Sequence, residues 1–541
     1  MHAGEQQAAR SFLCRSVSIY EAMTSHVLRL EKRANDEEIL KALGLTATLG
    51  WLAHPGRYAD ERLEEVALRA GRRLESPTDG PPPRTVGRPH TKNRRRRVLH
   101  VATTVYESGG HTRLIESWIR NDEASAHSLV LLHQRQYGVR AELSGAISAS
   151  GGELVTLPDD LSLLDKARRL RDLARSGYDC LILHTHPNDV LPLVALATSK
   201  CPPVAVMNHA DHTYWLGVSV ADMVVEFRDF GARLSLERRG ARENIIVPLP
   251  LDFTSTIERS AARERLGISD SEVMLLSIGS AYKYAPADRY DFFRTMRQVL
   301  DRNPTARLHL VGVSPADLAG FGVAGHERMM LIGTISDPTL YEAAADIYLE
   351  GFPHGSYTAF FETVARGICP VLLFAPTPQT DISGDPGLKG LVTSPIDEAD
   401  YVARVTELIN DPTMRVKLGQ AAGRQVVSTH GVEGSRIYLQ KLYHRLTQLT
   451  HQFLPPPKQG SSQMEEDLNL AGANNSRIKT ALLSQVYYSA VTGFTAGDLL
   501  RLFLMSVRIR DTRLIPSHVR GWLGLIRHKI SLPRTGTGVK A

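Results

Sequence analysis

The sequence predicts an α/β protein built from two doubly wound parallel sheets, and three observations lead to this prediction. Short, nearly continuous apolar runs, typical of strands buried on both faces, recur in two blocks, residues 98–250 and 251–450. Stretches of helical periodicity lie between these runs, so that strand and helix alternate. At 541 residues the chain is also too long for a single core, which agrees with two main domains.

Extensions and linkers flank the two blocks. Residues 1–75 are predicted to be helical, because residues 60–74 place Leu63, Val66 and Ala70 on one stripe of a helix. Residues 76–97 form a linker rich in proline and arginine, which we interpret as a solvated basic segment rather than a nucleic-acid contact. A second linker, residues 451–463, precedes a basic tail at residues 464–541.

Composition narrows the class of protein. Hydrophobic residues make up 43% and charged residues 23%, as in ordinary globular proteins, and no apolar run reaches the roughly eighteen residues of a membrane span. The first residues lack the apolar core of a signal peptide, and the four cysteines lack metal-ligand spacing, so we expect a cytoplasmic protein with reduced thiols. The net charge of +6 suits an anionic substrate or membrane surface without requiring nucleic acid.

The basic tail, residues 464–541, has the composition of a membrane-binding segment. Arginines interrupt its apolar residues, and Trp522 lies between Arg520 and Arg527. Basic amphipathic helices with a tryptophan bind anionic membrane interfaces, but they also pack on their parent domain. Peripheral binding to the inner face of a membrane and packing on the protein are therefore both left open.

Residues 346–374 are predicted to form a buried strand, a turn-rich loop, a helix and a second buried strand. The residues at the loop and helix start are His354, Gly355, Ser356, Tyr357 and Thr358. A helix start presents free N–H groups and the positive end of the helix dipole, and phosphate is the usual ligand there. Glu362, about one and a half turns further, could accept hydrogen bonds from ribose hydroxyls. Phosphate binding at the helix start and ribose binding by Glu362 together indicate a site for a nucleoside diphosphate. The alternative is that the loop is a simple turn and that Glu362 faces solvent.

This stretch resembles the GT-B glycosyltransferases, particularly their family-4-like group, in which a glycine loop precedes a helix written E-A-x-x-x-G-x-P-V. The matching residues of this chain are Glu362, Thr363, Gly367, Pro370 and Val371. The chain has one residue more than the motif between the glycine and the proline. The resemblance covers about residues 98–450. It implies two Rossmann-like domains facing a cleft, and it assigns ribose binding to Glu362. Many retaining members have a second glutamate where this chain has His354, so the stereochemistry stays open.

Lys283 lies just beyond the first strand of the second block, which ends at Gly279. The resemblance places at this position the basic residue that meets the donor phosphates. A lysine there would neutralise charge on the departing nucleotide, so no metal or cofactor is expected. The alternative is an ordinary exposed loop lysine.

Polar residues also follow strands of the first block, at the strand ends where ligands of parallel sheets bind. Gly109, Gly110 and His111 follow the first strand, and His184 and His186 follow a middle one. The glycines lack the full dinucleotide-binding fingerprint, and they resemble the GT-B loop that approaches the donor diphosphate or the acceptor. Two glycines after a strand also often make only a turn.

The segment NHADHTYWLG, residues 208–217, groups His209, Asp211 and His212 at another strand end. A histidine with a pKa near neutrality can deprotonate a hydroxyl, and the segment resembles the acceptor-side loop of GT-B enzymes. These three residues are therefore the candidate catalytic group, with Tyr214 and Trp215 as sugar-stacking surfaces. The alternative is that the histidines only bond to loops and the tryptophan is core. No cysteine joins them, so no zinc site is expected.

The resemblance implies transfer of a sugar from a nucleotide sugar, UDP- or GDP-linked, to a glycan, lipid-linked or protein acceptor, in glycan or glycolipid synthesis. Two alternatives remain open: a nucleotide-sugar epimerase of the same fold, and a non-catalytic GT-B scaffold that works through its helical ends. Neither the sugar, the base nor the acceptor is specified by these residues.

Overall fold

The computed structural model of the protein describes residues 3–75, 94–107, 110–251, 253, 257–287, 289–377, 380–458 and 467–468. These residues contain two sheets, and every pairing between their strands is parallel. The first sheet comprises β1 (Arg96–Ala102), β2 (Ser125–Leu131), β3 (Leu154–Thr156), β4 (Cys180–His184), β5 (Val204–Met207), β6 (Met223–Glu226) and β7 (Asn244–Ile246). The second comprises β8 (Val273–Ile278), β9 (Ala306–Val311), β10 (Met329–Gly333), β11 (Ile347–Leu349) and β12 (Cys369–Val371).

Helices connect and surround these strands. The first part of the chain has α1 (Ala3–Leu30), α2 (Asp36–Leu52), α3 (Glu61–Arg73), α4 (Gly110–Asn121), α5 (Ala141–Ser150), α6 (Leu163–Ala174), α7 (Leu191–Ala195) and α8 (Asp229–Leu234). The second part has α9 (Arg259–Leu266), α10 (Phe292–Arg302), α11 (Pro315–Phe321), α12 (Thr339–Ala344), α13 (Tyr357–Val364), α14 (Glu398–Asn410), α15 (Pro412–His430) and α16 (Val432–Leu446).

The strand order confirms the predicted doubly wound architecture. The first sheet runs β3-β2-β1-β4-β5-β6-β7 and the second runs β10-β9-β8-β11-β12. In each sheet the chain starts at an inner strand, winds outward in one direction and then returns to wind in the other. Such a reversal opens a crevice at the carboxyl ends of the two strands beside it, where ligands bind. The crevices lie beside β1 and β4 in the first sheet, and beside β8 and β11 in the second.

The N-terminal helices cover one face of the first sheet and share its core. Gly71 on α3 permits a close approach, because a Cβ there would lie 2.4 Å from the carbonyl oxygen of Val194 on α7. The buried carboxylate of Glu64 on α3 accepts hydrogen bonds from the backbone N–H groups of Gly217 at 2.7 Å and Ser219 at 3.1 Å. These contacts hold the segment after β5 against the helical extension.

The end of the described chain returns to the first sheet. Trp118 on α4 donates a hydrogen bond of 2.8 Å to the hydroxyl of Tyr443 on α16. The backbone N–H of Gln452 donates to the carboxylate of Asp222 at 2.8 Å, so the start of the predicted second linker packs against the first sheet.

The predicted membrane-binding tail, residues 464–541, lies outside the described residues except for 467–468. Within the part of the chain that is described, no helix combines the length and hydropathy that a membrane span requires.

Candidate functional site

Two helices begin next to each other in the cleft between the sheets. Gly110 starts α4, and a Cβ added there would lie 2.5 Å from the hydroxyl oxygen of Thr358 in the first turn of α13. The backbone therefore approaches closely only because residue 110 has no side chain. Both helix starts direct unpaired N–H groups and partial positive charge towards the same place, which is suited to an anion. Gly109 lies outside the described residues.

Lys283 contributes a positive charge next to the start of α13. Its ammonium donates hydrogen bonds of 3.1 Å to the carbonyl oxygen of Gly355 and of 3.1 Å to the hydroxyl of Ser356, directly before α13. Burial lowers the pKa of Lys283 to about 8. Among the described residues, no carboxylate forms an ion pair with it. A half-buried ammonium bonded only to neutral oxygens lacks the counter-charge that an anionic ligand would supply.

The other predicted donor residues lie around Lys283. A Cβ at Gly279 would lie 2.5 Å from the hydroxyl oxygen of Ser356, so the end of β8 and the loop before α13 touch. The backbone N–H of His354 donates to the carbonyl oxygen of Lys283 at 3.3 Å. The hydroxyl of Tyr357 donates to Asp385, which anchors the start of α13.

A buried carboxyl group lies behind the loop and was missed from sequence. Glu350 follows β11, its carboxylate accepts a hydrogen bond of 2.8 Å from the backbone N–H of Leu373, and burial raises the pKa of Glu350 to about 8. A Cβ at Gly355 would lie 2.5 Å from its side-chain oxygen, so the loop packs directly on this group. The sequence feature that could have revealed Glu350 is an acidic residue placed directly after a buried apolar run.

Glu362 on α13 pairs with a residue of α4, and so joins the two halves of the molecule. Both of its carboxylate oxygens accept hydrogen bonds of 3.1 Å from the guanidinium of Arg113 on α4. Burial raises the pKa of Glu362, although the charge of Arg113 opposes that shift. Arg113 was missed from sequence; the available signal was its place three residues after Gly110, in the first turn of α4. A ribose at this place would share the carboxylate with Arg113.

The histidines predicted from separate strand ends come together in the first sheet. The rings of His111 and His209 lie 4.4 Å apart, and Nδ1 of His184 lies 3.3 Å from Nε2 of His209. His186 lies nearby, with its ring 6.3 Å from that of His111. Burial lowers the pKa of His111 to about 4 and lowers the pKa values of His184 and His209 well below the ordinary value. Burial therefore favours the neutral form of these imidazoles.

His209 also lies close to the start of α13. Its ring centroid is 6.3 Å from that of Phe227, which is 5.8 Å from that of Tyr357. Phe227 therefore connects the histidine cluster to the start of α13.

Asp211 is engaged in a structural ion pair. Its carboxylate oxygens accept hydrogen bonds of 2.7 Å and 3.0 Å from the guanidinium of Arg228, and Arg239 donates to its backbone carbonyl at 2.9 Å. Burial would raise the pKa of Asp211, but the charge of Arg228 lowers it below the ordinary value. His212 is more exposed, and its Nδ1 lies 3.3 Å from the Asp211 carboxylate.

The predicted sugar-stacking surface is wrong. Tyr214 is fully buried with its ring 5.5 Å from that of Tyr20, and Trp215 is buried beneath the guanidinium of Arg239 at 4.5 Å. The N-terminal helices cover this face, which the sequence of residues 208–217 does not reveal.

Three of these histidines could hold a metal ion. His111, His184 and His209 each offer a ring nitrogen, and these atoms all lie within 4.8 Å of one another. In the described part of the chain this is the one such group. The sequence did not predict it, because the three residues are far apart along the chain.

The chain matches no protein-family model and no curated protein. Among solved structures, a glycosyltransferase from Rickettsia africae matches with a TM-score of 0.50 and 10% identity, covering 65% of this chain and 98% of that one. An O-GlcNAc transferase mutant from Thermobaculum terrenum matches with a TM-score of 0.49 and 18% identity, covering 80% and 82%. The Anabaena protein HepE in complex with UDP and glucose matches with a TM-score of 0.49 and 14% identity, covering 65% and 100%.

At these identities the likeness concerns the fold alone. Two Rossmann-like parallel sheets facing a cleft are the GT-B architecture, as the sequence predicted. This chain therefore has the fold of the GT-B glycosyltransferases.

Proposed function

We propose that this protein is a glycosyltransferase that moves a sugar from a nucleoside-diphosphate sugar, UDP- or GDP-linked, to an acceptor hydroxyl. One observation carries the proposal. The half-buried ammonium of Lys283, bonded only to the neutral oxygens of Gly355 and Ser356, lies at the point where α4 and α13 both begin. A diphosphate supplies the negative charge that this place lacks. The fold likeness to the Rickettsia glycosyltransferase agrees with the proposal.

Lys283 and the N–H groups at Ser356, Tyr357 and Thr358 would hold the diphosphate. When the bond between the sugar and the diphosphate breaks, negative charge develops on the departing oxygen. An ammonium and a helix start that are already in place stabilise this charge without reorganising, so the reaction does not need a divalent ion. The carboxylate of Glu362 would accept hydrogen bonds from the ribose hydroxyls.

The acceptor would enter on the histidine side of the cleft, past Gly110 and His111. His209 and His212 are the candidate bases, because an imidazole nitrogen with a free lone pair can take the hydroxyl proton as the new bond forms. Asp211 would take part only by holding this loop through Arg228. The acceptor class, whether glycan, lipid-linked or protein, is set by surfaces beyond these residues.

A thermal-shift screen against UDP, GDP, ADP and CDP tests the donor site. A nucleotide present at a hundred times its Kd stabilises the folded state by about 2.7 kcal/mol, which is easily measured. We expect one nucleotide to raise the Tm of the wild-type protein and to have a much smaller effect on Lys283→Met. If none of the four binds, the donor assignment fails and the scaffold alternative is favoured.

Product analysis then tests the reaction. With the matching nucleotide sugar, a glycosyltransferase attaches the sugar to an acceptor and, without acceptor, slowly releases free sugar. Conversion of the donor into an isomeric nucleotide sugar would instead identify an epimerase.

A further inference from the structure

A diagonal row of histidines crosses one face of the first sheet. His127 on β2 pairs two residues before His100 on β1, and His184 on β4 pairs two residues after it. His209 lies two residues beyond Met207, the last residue of β5. Because side chains two residues apart share a face of a sheet, all four imidazoles lie on one face, each one step nearer the cleft.

The four rings form a continuous hydrogen-bonded chain. Nε2 of His100 lies 3.0 Å from Nδ1 of His127, and Nδ1 of His100 lies 3.0 Å from Nε2 of His184. Nδ1 of His184 lies 3.3 Å from Nε2 of His209. The first three histidines are fully buried, so water does not interrupt the chain. Every contact joins Nε2 of one ring to Nδ1 of the ring behind it.

The far end of the chain determines its direction. Nε2 of His127 lies 3.2 Å from the backbone carbonyl oxygen of Asp122 and 3.3 Å from a carboxylate oxygen of the same residue, and both oxygens only accept. His127 must therefore carry a proton on Nε2. In the neutral ring Nδ1 accepts from His100, whereas an imidazolium at His127 would donate from Nδ1 and reverse the chain. A neutral imidazole has one N–H, so the same assignment passes through His184 to His209. Desolvation and the neighbouring histidines lower the pKa values of His100 and His184, which keeps these rings neutral.

We infer that the chain from Asp122 through His127, His100 and His184 fixes the tautomer of His209, so that its Nδ1 is the unprotonated atom that accepts the acceptor proton. This inference rests on the proposed function. In the transfer, the hydroxyl proton moves to Nδ1 of His209 and the hydroxyl oxygen bonds to the sugar carbon. The bond from that carbon to the diphosphate oxygen breaks with its electron pair. His184, His100 and His127 are positioning residues, since they act through His209.

The histidines around His209 could also bind a metal ion, which would compete for the ring nitrogens of the chain. The titratable side chains that face it are His184 from β4, His111 from α4 and His186 from the loop after β4. Nδ1 of His111 is buried without a hydrogen-bond partner. A metal ion held by His111, His184 and His209 would take one ring nitrogen from each residue, and it would compete with the contact between His184 and His209.

Nitrogen NMR of the unmodified protein tests the chain directly. In protein labelled with ¹⁵N-histidine at neutral pH, side-chain shifts distinguish a protonated Nε2, a protonated Nδ1 and an imidazolium. We expect His209, assigned by the loss of its signals in His209→Gln, to have Nε2 protonated and Nδ1 bare. A protonated Nδ1 or an imidazolium at His209 would overturn the inference. So would stoichiometric zinc in the purified protein, or zinc titration that shifts the His184 and His209 signals.

Variants of the middle residue test its effect on catalysis. His100→Leu breaks the chain, and we expect kcat to fall roughly tenfold or more with an unchanged KM for the donor. The amide of His100→Gln can accept from one neighbour and donate to the other, so it should recover most of the loss. His309→Leu is the matched control, because His309 is also a buried histidine on a parallel strand, β9, away from the cleft.

The two measurements separate the possible failures. Equal kcat values in His100→Leu and His309→Leu would overturn the positioning role. If His100→Leu does not fold, as judged by its Tm, the NMR result on the unmodified protein decides. The NMR measurement needs no turnover. An oriented chain in a protein that transfers no sugar would therefore overturn the proposed function and leave the tautomer assignment intact.

Discussion

Replacing Lys283 with methionine should weaken nucleotide binding strongly without weakening the fold. Burial lowers the pKa of this lysine from 10.5 to about 8. A pKa change of this size corresponds to about 3 kcal/mol of lost solvation, and solvent that reaches the half-buried side chain reduces it. A bound diphosphate would compensate that loss. We therefore expect the Kd of the nucleotide to rise roughly 10- to 100-fold in Lys283→Met.

Isothermal titration calorimetry over a pH range is the assay. Affinity of the wild-type protein should fall as the pH rises through about 8, because the unbound ammonium loses its proton there. Lys283→Met should lack this pH step. Lys41→Met, which removes an exposed lysine on α2, is the control and should bind like the wild type.

The stability of Lys283→Met without ligand tests whether the ammonium of Lys283 is costly to bury. The lowered pKa means that the half-buried ammonium destabilises the folded state fully below pH 8, and that this effect diminishes as the pH rises towards 10.5. Methionine has no charge to bury, so Lys283→Met should be at least as stable as the wild type at neutral pH. Equal nucleotide affinity in the two proteins would refute the assignment of Lys283 to the diphosphate.

Three further outcomes are expected. Glu362→Ala should raise the Kd of the nucleotide about tenfold by calorimetry, because the ribose hydroxyls lose their acceptor, whereas a 2′,3′-dideoxyribose nucleotide should bind both proteins alike. Asp211→Asn should lower the free energy of unfolding in urea by about 3–5 kcal/mol at neutral pH, because the buried guanidinium of Arg228 loses its carboxylate partner. The difference should shrink as the pH falls below the usual carboxyl range, since the folded pKa of Asp211 lies below it. A thiol reagent should label exposed Cys14 quickly in the native protein, while the other three thiols, whose pKa values burial raises to about 12, should react only on unfolding.

Local sequence was sufficient for the arrangement around Lys283. A strand ending at Gly279, a lysine shortly after it and a helix start at Tyr357 are each visible within a few residues. Parallel strands place their carboxyl ends at one edge of the sheet, so the proximity of Lys283 to Ser356 followed from the doubly wound prediction.

Contacts between distant segments could not be predicted in this way. The pair of Arg113 and Glu362 depends on how the two sheets face each other, and no local pattern encodes that orientation. The burial of Tyr214 and Trp215 depends on helices from the start of the chain. The prediction that these two rings face a sugar was wrong for that reason.

The row of histidines on the first sheet distinguishes what the local sequence determined from what only the tertiary structure determined. Residue identity alone determined that imidazoles stand at the ends of several strands, because short-range apolar patterns are strong enough to locate those strands. Only the tertiary structure decided that β1 lies between β2 and β4, and that the register offsets each histidine by two residues. Strand order and register arise from the packing of whole sheet faces, so they depend on residues throughout the chain rather than on any one segment.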